Sequence, residues 1–307
     1  MLIDFAAITH LGKVRKNNED AYLVNAMDGT EPLVNQLQRI SGLCRMGLLA
    51  AVADGMGGAA AGEIASREGL ASVAVHLFGY WGRFTSMDAK ESDLVRALVG
   101  ATRGASSSVL SYTDAERTAR GMGSTLTATV VWNGFVYFVQ VGDSRAYVYR
   151  RGEIVQITED QTLVSEMISS GLLTPEQAKT HPQRSMITQA LGGPYPLKAV
   201  IGKVALRRGD RLLLCTDGLH GEVTDQQMKE VLDHNYSPRH SLELMLGMAL
   251  DHGGRDNVTI LMLSLDDPGL PLPVPDEVVR VITLPLEPDQ PKEGLLSKLG
   301  HIFTSKT

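Results

Sequence analysis

The chain contains 307 residues, carries a formal net charge of -6 and is 43% hydrophobic. This length suits one large domain or two small ones, and the hydrophobic content is enough for a sizeable core. The small acidic excess argues against a general nucleic-acid binder, and the two cysteines lie in unlike contexts that exclude a disulfide framework and a cysteine-based zinc site.

The N-terminus lacks the charged start and long apolar core of a secretion signal. No run along the chain approaches the ~18 apolar residues that a membrane helix requires. Together with the sparse cysteines, these features predict a cytoplasmic protein without a transmembrane segment.

The first predicted elements are two strands joined by a polar loop. Residues 3–9 read as an opening strand, and the segment 12–24 returns into a second strand. The loop carries Arg15, Glu19 and Asp20 close together. A solvated turn of mixed charge would look the same, so the loop alone leaves its role open.

The third predicted strand ends at an acid that is followed by glycines. The apolar run 48–53 stops at Asp54, and Gly55 and Gly57 follow. Glycine lets the backbone approach a ligand closely, which suits a metal or phosphate site. A lone Asp-Gly pair is more often a simple turn that closes a strand.

The same pattern recurs, which favours the site over the turn. Two further apolar strands end in an acid, and another acid leads directly into the last strand. The four acids are Asp54, Asp143, Asp217 and Asp256. Hard divalent cations such as Mg²⁺ and Mn²⁺ favour these oxygen ligands, so we expect the four carboxylates to converge on one metal site.

The middle of the chain predicts helices, then strands. Helical spacing of apolar residues predicts helices over 62–76 and 92–110. Four strands in series follow, read as an antiparallel meander with hairpin turns at Asn-Gly and Arg-Gly pairs. These strands are 124–132, 135–141, 146–150 and 154–158. Their β-branched residues favour a sheet buried between layers over a doubly wound parallel sheet.

The second half begins with residues 159–195, which read as helices and loops. Within them His181 lies next to a proline, which is more typical of a surface loop than of a catalytic group. Strands are then predicted over 200–206 and 258–265, with the strand that ends at Asp217 between them. Helices are predicted over 225–233 and 242–251.

The composition changes after Asp267. Seven of the 13 prolines lie between Pro268 and Pro291, which predicts an extended linker. Beyond it, residues 294–303 have apolar positions at helical spacing. A helix that docks a partner or touches a membrane is one interpretation, and a frayed tail or a patch folded back onto the domain is the other.

Taken together, the motifs resemble the protein phosphatase 2C family of metal-dependent Ser/Thr protein phosphatases, and specifically its compact bacterial members. The resemblance covers about residues 4–265. It depends on 15-RKNNED-20, 53-ADGMGG-58, 121-GMGSTLTA-128, 141-VGDSRAY-147, 216-TDGL-219 and 255-RDNVT-259, which occur in the family order.

The resemblance implies an α+β fold in which two antiparallel sheets pack as a central sandwich with helices on both outer faces. A catalytic domain is expected over residues 1–266, with a helical flap at about 159–195. Residues 267–307 would form the proline-rich linker and a short amphipathic tail.

The resemblance also implies a site with two Mn²⁺ or Mg²⁺ ions, and a third in bacterial members. Asp54 and the carbonyl of Gly55 would bridge the pair, and Asp217 and Asp256 would complete the ligand set. Asp143, with Asp217 and a flap residue such as Ser185, would hold the third ion. No other cofactor is expected.

The remaining roles implied by the resemblance concern substrate and water. Arg15 would hold the phosphoryl oxygens as a catalytic and substrate-binding residue, because only a planar guanidinium donates in a fork. Glu19 and Asp20 would orient the waters of the site. Met56 stands where many eukaryotic members carry a His that donates a proton, so the general acid is unassigned.

The implied function is hydrolysis of phosphoserine and phosphothreonine by direct attack of a water activated by two metal ions. The expected partners are phosphorylated proteins produced by a Ser/Thr kinase, and the expected state is a monomer active in signal transduction. Two alternatives stay open. One is an inactive regulatory module on the same fold, and the other is a hydrolase of small phosphoesters.

Overall fold

The computed structural model describes residues 3–27, 34–35, 47–57, 61–83, 89–115, 121–194 and 196–286. Within these residues two antiparallel sheets pack face to face, with helices on both outer faces, so the predicted α+β sandwich is confirmed. The strands are β1 (Ile3–His10), β2 (Asp20–Ala26), β3 (Leu48–Met56), β4 (Gly123–Ser124), β5 (Leu126–Trp132), β6 (Phe135–Val141), β7 (Arg145–Arg150), β8 (Glu153–Gln156), β9 (Val200–Ala205), β10 (Asp210–Cys215), β11 (Val258–Leu265) and β12 (Ile282–Thr283).

The helices divide between the two outer faces and the flap. They are α1 (Ala61–Trp81), α2 (Glu91–Ala115), α3 (Leu163–Ser169), α4 (Pro175–Lys179), α5 (Asp217–His220), α6 (Asp225–Asp233) and α7 (Pro238–Asp251). In the described part of the chain, no helix combines the length and the apolar character needed to cross a bilayer.

One sheet has five strands in the order β1-β11-β10-β7-β8, and the other has seven, in the order β12-β9-β6-β5-β3-β2 with β4 paired to β3. Side chains alternate between faces along a strand, so a strand covered on both sides must be apolar throughout. In β11, Leu261 and Leu263 enter the layer between the sheets, whereas Ile260 and Met262 pack under α5, α6 and α7. A third apolar layer lies between the seven-stranded sheet and helices α1 and α2.

The predicted four-strand meander is wrong in one respect, because β6 and β7 lie in different sheets. The chain crosses between the sheets at Gly142, whose φ of +92° is in the left-handed region that favours glycine. A Cβ at this position would lie 2.7 Å from the side chain of Thr125. The crossing carries Asp143 to the end of the sandwich where β3 also ends.

The first part of the proline-rich segment runs along the sandwich. Leu270 is buried, β12 pairs with β9 at the sheet edge, and Glu277 forms ion pairs with Arg150 and Arg207. This part of the predicted linker therefore contacts the domain, up to residue 286. The predicted amphipathic stretch 294–303 lies outside the described residues.

Candidate metal centre

Two acids meet where β2 begins and β3 ends. Asp20 lies directly opposite Asp54 in the antiparallel pair. The backbone of Asp54 is fixed by Thr125, since its N–H donates to Thr125 Oγ1 at 2.8 Å and its carbonyl accepts the Thr125 N–H at 2.9 Å. The hydroxyl of Ser124 donates to the same carbonyl at 3.1 Å. These bonds hold the strand end that carries the Asp54 carboxylate.

The next residue, Gly55, allows α1 to begin against this strand end. A Cβ on Gly55 would lie 1.9 Å from the carbonyl oxygen of Gly62, so no other residue fits this close approach. The Gly55 N–H donates to the carbonyl of Glu19 at 3.0 Å. The loop before β2, the end of β3 and the start of α1 therefore meet at one point.

The charged loop is held against the start of β11 by a buried amide. Asn257 Nδ2 donates to the carbonyls of Leu11 and Asn17, both at 2.9 Å, and its Oδ1 accepts the Glu19 N–H at 2.8 Å. The loop is thereby fixed beside Asp256, the acid that precedes Asn257.

Arg15 is the basic side chain at this point. Its Nη2 donates to Asp256 Oδ2 at 2.6 Å, while half of its side-chain surface stays exposed. The hydrogen bond to Asp256 raises the pKa of Arg15, so the guanidinium remains charged. A charged fork with exposed N–H groups can bind an oxyanion arriving from solvent.

Asp217 follows β10 as the first residue of α5. Its Oδ1 is buried and has no hydrogen-bond partner within the described residues. The preceding residue, Thr216, donates its hydroxyl to Asp20 Oδ2 at 2.8 Å. A buried acceptor without a donor is unusual, because it loses its hydration without compensation.

Asp143 is held from the opposite side by a histidine. His220 Nε2 donates to the backbone carbonyl of Asp143 at 3.0 Å. Burial lowers the pKa of His220 to about 3, so the imidazole is neutral and cannot supply a proton as an imidazolium near pH 7. His220 therefore fixes the loop of Asp143 rather than acting as an acid.

Asp20, Asp54, Asp143 and Asp217 form no ion pair within the described residues, and they repel one another. Burial, reinforced by neighbouring carboxylates, raises the pKa of Asp143 to about 8, of Asp20 to about 7 and of Asp217 to about 6. The same causes hold the pKa of Asp54 well above its usual range. Asp54 and Asp217 keep some exposed surface, yet both are closely surrounded by protein atoms, so desolvation dominates.

The residues present fit a hard divalent cation. The donors are all oxygens, one of them is the orphaned Asp217 Oδ1, and added positive charge would relieve the repulsion. In the part of the chain that the structure describes, no three His, Cys, Asp or Glu side chains are arranged to hold one ion together. Each ion would therefore depend on one or two carboxylates, with carbonyls and waters completing its shell, as Mg²⁺ commonly does.

The structure brings most of the predicted site residues together. Hydrogen bonds or electrostatic repulsion between neighbouring carboxylates show that these residues lie close together. They are Arg15, Glu19, Asp20, Asp54, Gly55, Asp143, Asp217 and Asp256. Their individual roles remain predictions. Met56 is partly exposed at the end of β3. Gly58 and its two following alanines lie outside the described residues.

Within the described residues, no hydrogen bond joins the two flap residues named from the sequence to this cluster. Ser185 is exposed, and among the described residues no hydrogen bond links it to Asp143, so its role at a third ion remains a prediction. His181 Nδ1 accepts the N–H of Gln183 at 3.2 Å, which is a turn contact.

Sequence reasoning missed the residues that position the acids. Thr125, Thr216 and Asn257 each lie inside a motif quoted for the family, beside the acid or glycine that attracted attention. His220 directly follows 216-TDGL-219. The only sequence signal for these residues was their position inside the motifs. Their hydrogen bonds connect segments that are far apart in the chain, which the motifs do not reveal.

The flap joins the sandwich at this same end. The beginning of the flap contacts the chain beside Asp143, since the Gly142 N–H donates to Gln161 Oε1 at 2.8 Å. The end of the flap contacts β4, where Leu191 and Ser124 exchange backbone hydrogen bonds of 2.8 and 3.2 Å. The predicted location of the flap beside Asp143 agrees with these contacts.

Comparison with known proteins finds relatives that agree with one another in family. A family model described as Protein phosphatase 2C matches residues 40–249. The serine/threonine protein phosphatase PstP of Mycobacterium tuberculosis is 36% identical over 267 residues, which cover 87% of this chain and 46% of that protein. The chain thus spans about half the length of that relative.

Two further matches cover nearly all of the compared protein. The serine/threonine phosphatase stp of Listeria monocytogenes is 30% identical over 259 residues, covering 84% of this chain and 94% of that protein. The solved catalytic domain of a serine threonine protein phosphatase PstP, in complex with 2 manganese ions, superposes with a TM-score of 0.68 at 33% identity and covers 86% of this chain and 99% of that chain.

Proposed function

Because the chain belongs to the protein phosphatase 2C family, we propose that it is a metal-dependent protein serine/threonine phosphatase that hydrolyses phosphoserine and phosphothreonine by direct attack of water. One observation carries the proposal. The carboxylates of Asp20, Asp54, Asp143 and Asp217 lie together with raised pKa values, and Arg15 is exposed beside them.

The metal ions are assigned to these acids. Asp54, the Gly55 carbonyl, Asp217 and Asp256 would together hold two ions. Asp143 with Asp217 would hold a third ion. When bound, Mn²⁺ or Mg²⁺ supplies Lewis-acid chemistry, polarising phosphoryl oxygens and lowering the pKa of water.

Arg15 is the residue that binds the phosphoryl group. Its hydrogen bond to Asp256 uses Nη2 and orients the guanidinium, which leaves other N–H groups at the exposed side of the loop. Two parallel charge-assisted bonds to phosphoryl oxygens would place phosphorus near the acids.

Glu19 and Asp20 orient the water that attacks. Burial raises the pKa of Glu19, and the nearby charge of Arg15 opposes this effect. Asp20 accepts a hydrogen bond from the Thr216 hydroxyl, so its carboxylate has a defined direction. Such fixed acceptors can take the O–H bonds of a water molecule, so that its oxygen is held in line with the phosphorus–oxygen bond that breaks.

The physiological substrates are proposed to be phosphoproteins made by a Ser/Thr kinase, and the protein is proposed to be a cytoplasmic monomer. The names of the relatives support the substrate class, since both are serine/threonine phosphatases. The acidic balance of the chain does not favour nucleic acid as a partner.

The test is turnover by the purified protein with Mn²⁺ of an aryl phosphate and of a panel of phosphorylated peptides and proteins. We expect phosphate release from both kinds of substrate, and its loss when a chelator is added. Release from the aryl phosphate alone would favour a small-phosphoester hydrolase. No release from any substrate, with metal binding intact, would favour an inactive regulatory module.

A further inference from the structure

A groove opens beside the candidate metal centre. It has a volume of about 430 Å³ and begins at Met56, which is two residues after Asp54. Its walls come from two chain segments that are distant in sequence. One is residues 121–123 before β5, and the other is residues 187–194 at the end of the flap, without Leu191.

Backbone hydrogen bonds join the two segments that form the walls of the groove. Leu191 is fully buried in the apolar layer beneath α1 and α2, and its backbone exchanges two hydrogen bonds with Ser124. Ser124 in turn pairs with Gly55 in the short ladder between β3 and β4. A groove built on these contacts keeps a fixed position relative to the metal centre.

The described wall residues carry no charge, since none of them is acidic or basic. Thr188 donates its hydroxyl to the Gln161 carbonyl at 3.1 Å, and Gln189 Oε1 accepts the Lys198 N–H at 2.8 Å. The Nε2 amide of Gln189 has no partner in the described segments, so a donor remains available in the groove.

Resting on the proposed function, we propose that this groove binds the residues next to the phosphorylated side chain of a protein substrate and selects uncharged ones. A phosphopeptide whose phosphate is bound by Arg15 would extend from the centre over the adjacent surface, where the groove begins. Its size suits a few residues of extended chain. Gln189 Nε2 would donate to a peptide carbonyl.

The selection follows from desolvation. A charged side chain that enters the groove loses water and meets no opposite charge on the described lining residues, which costs free energy. An alanine or valine at the same position loses little. We therefore expect kcat/KM to fall about tenfold when one flanking residue of a phosphopeptide is changed from Ala to Asp or Lys.

The decisive experiment introduces a charge into the groove. Gln189→Glu keeps the acceptor for the Lys198 N–H but removes the amide donor and adds a negative charge. We expect the ratio of kcat/KM for an Ala-flanked phosphopeptide to that for an aryl phosphate to fall about tenfold. A Lys-flanked peptide should lose its disadvantage in this variant.

The matched control is Gln183→Glu, which places the same charge on an exposed flap residue that does not line the groove. We expect it to leave the ratio and the preference for flanking residues as in the wild type. If both variants change the ratio alike, the general charge of the flap is responsible and the proposal is overturned.

A second variant fills the groove without charge. Ala190→Leu should lower the same ratio for every phosphopeptide, with KM affected more than kcat, and it serves the test if Gln189→Glu does not fold. Equal loss on the peptide and the aryl phosphate would overturn the groove assignment while leaving the phosphatase proposal intact. Absence of wild-type activity on both substrates would instead contradict the proposed function.

Discussion

The two ends of β10 carry carboxylates in opposite electrostatic settings. Asp210, at its start, is buried and accepts hydrogen bonds of 2.8 and 2.7 Å from the equally buried guanidinium of Arg150. Asp217, just past its end, has a buried oxygen with no partner within the described residues and lies among other acids. One strand thus separates a neutralised cluster from an acidic one.

The difference identifies which cluster serves the fold. At Asp210 each buried charge is matched, and Glu277 is shared between Arg150 and Arg207 in the same network. At Asp217 the fold brings like charges together, which lowers stability unless cations are added. An arrangement that costs stability and occurs at strand ends beside an exposed arginine indicates function.

The largest expected effect is that of removing an acid from the metal centre. Asp54→Asn should lower kcat at least ~10³-fold, because the ions that it is proposed to hold supply several kcal/mol of transition-state stabilisation. Without metal, the variant should unfold at a higher temperature than the wild type, since one repelling charge is gone. A loss of metal-free stability would show that Asp54 is structural. Asp256→Asn should likewise abolish turnover and weaken metal binding.

The opposite cluster should respond in the opposite way. Asp210→Ala removes the closest carboxylate of the buried Arg150, leaving it the longer 3.7 Å ion pair with Glu277, and should cost about 3–5 kcal/mol of unfolding free energy in urea titration. The control is Asp266→Ala, which breaks an exposed ion pair with Arg208 and should cost no more than about 1 kcal/mol. Similar costs for the two variants would contradict the structural role of the paired cluster.

Arg15→Ala tests whether Arg15 binds the phosphate of the substrate while the acids bind the metal ions. We expect about 10²-fold lower kcat/KM with Mn²⁺ still bound, because the arginine is proposed to bind phosphate and the acids to bind metal. Arg15→Lys should restore little, since an ammonium cannot donate as a planar fork. Loss of metal binding in Arg15→Ala would show that its role is wrong.

The pH dependence of stability should also separate the clusters. In the folded state, the pKa values of Asp217, Asp20 and Asp143 are raised to about 6, about 7 and about 8. In the unfolded chain, the pKa of Asp is about 3.9. The folded state therefore binds more protons, and metal-free stability should fall as pH rises from about 5 to about 8. Thermal unfolding with a chelator measures this slope.

Two comparisons check that the acidic cluster causes the slope. Saturating Mn²⁺ should flatten it, because bound cations replace the protons. Asp54→Asn should also flatten it, since fewer charges repel. A wild-type slope that is unaffected by either change would assign the pH dependence to other groups.

The smallest expected effects lie in the flap. Ser185→Ala, or a shortened segment within 159–195, should alter activity on phosphopeptides more than on an aryl phosphate, with little change in thermal stability, because Ser185 and most of α4 are exposed. Large and equal losses on both substrates, together with a lower unfolding temperature, would show that the flap is structural.

Local patterns explain what the sequence could predict. The bounds 135–141, 225–233 and 258–265 agree with β6, α6 and β11, because apolar periodicity and helix caps act over a few residues. The crossing at Gly142 and the two-residue β12 were missed. Both depend on pairing with distant strands, which neighbouring residues do not determine.

The candidate site divides in the same way. Asp54, Asp143 and Asp217 were found because acids after apolar runs are visible in the sequence. The contacts of Asn257 and His220 were not, because their partners lie 246 and 77 residues away in the chain.

The proposed metal centre assigns phosphate-ester hydrolysis to ions held by the acids at the strand ends. Its most direct test is calorimetric titration of Mn²⁺ into metal-stripped wild-type and Asp54→Asn protein, with aryl phosphate turnover measured at each addition. We predict that the wild type binds at least two ions, that turnover rises with their binding, and that Asp54→Asn loses both. Full turnover by the metal-stripped wild type, or equal Mn²⁺ binding by the two proteins, would contradict the claim.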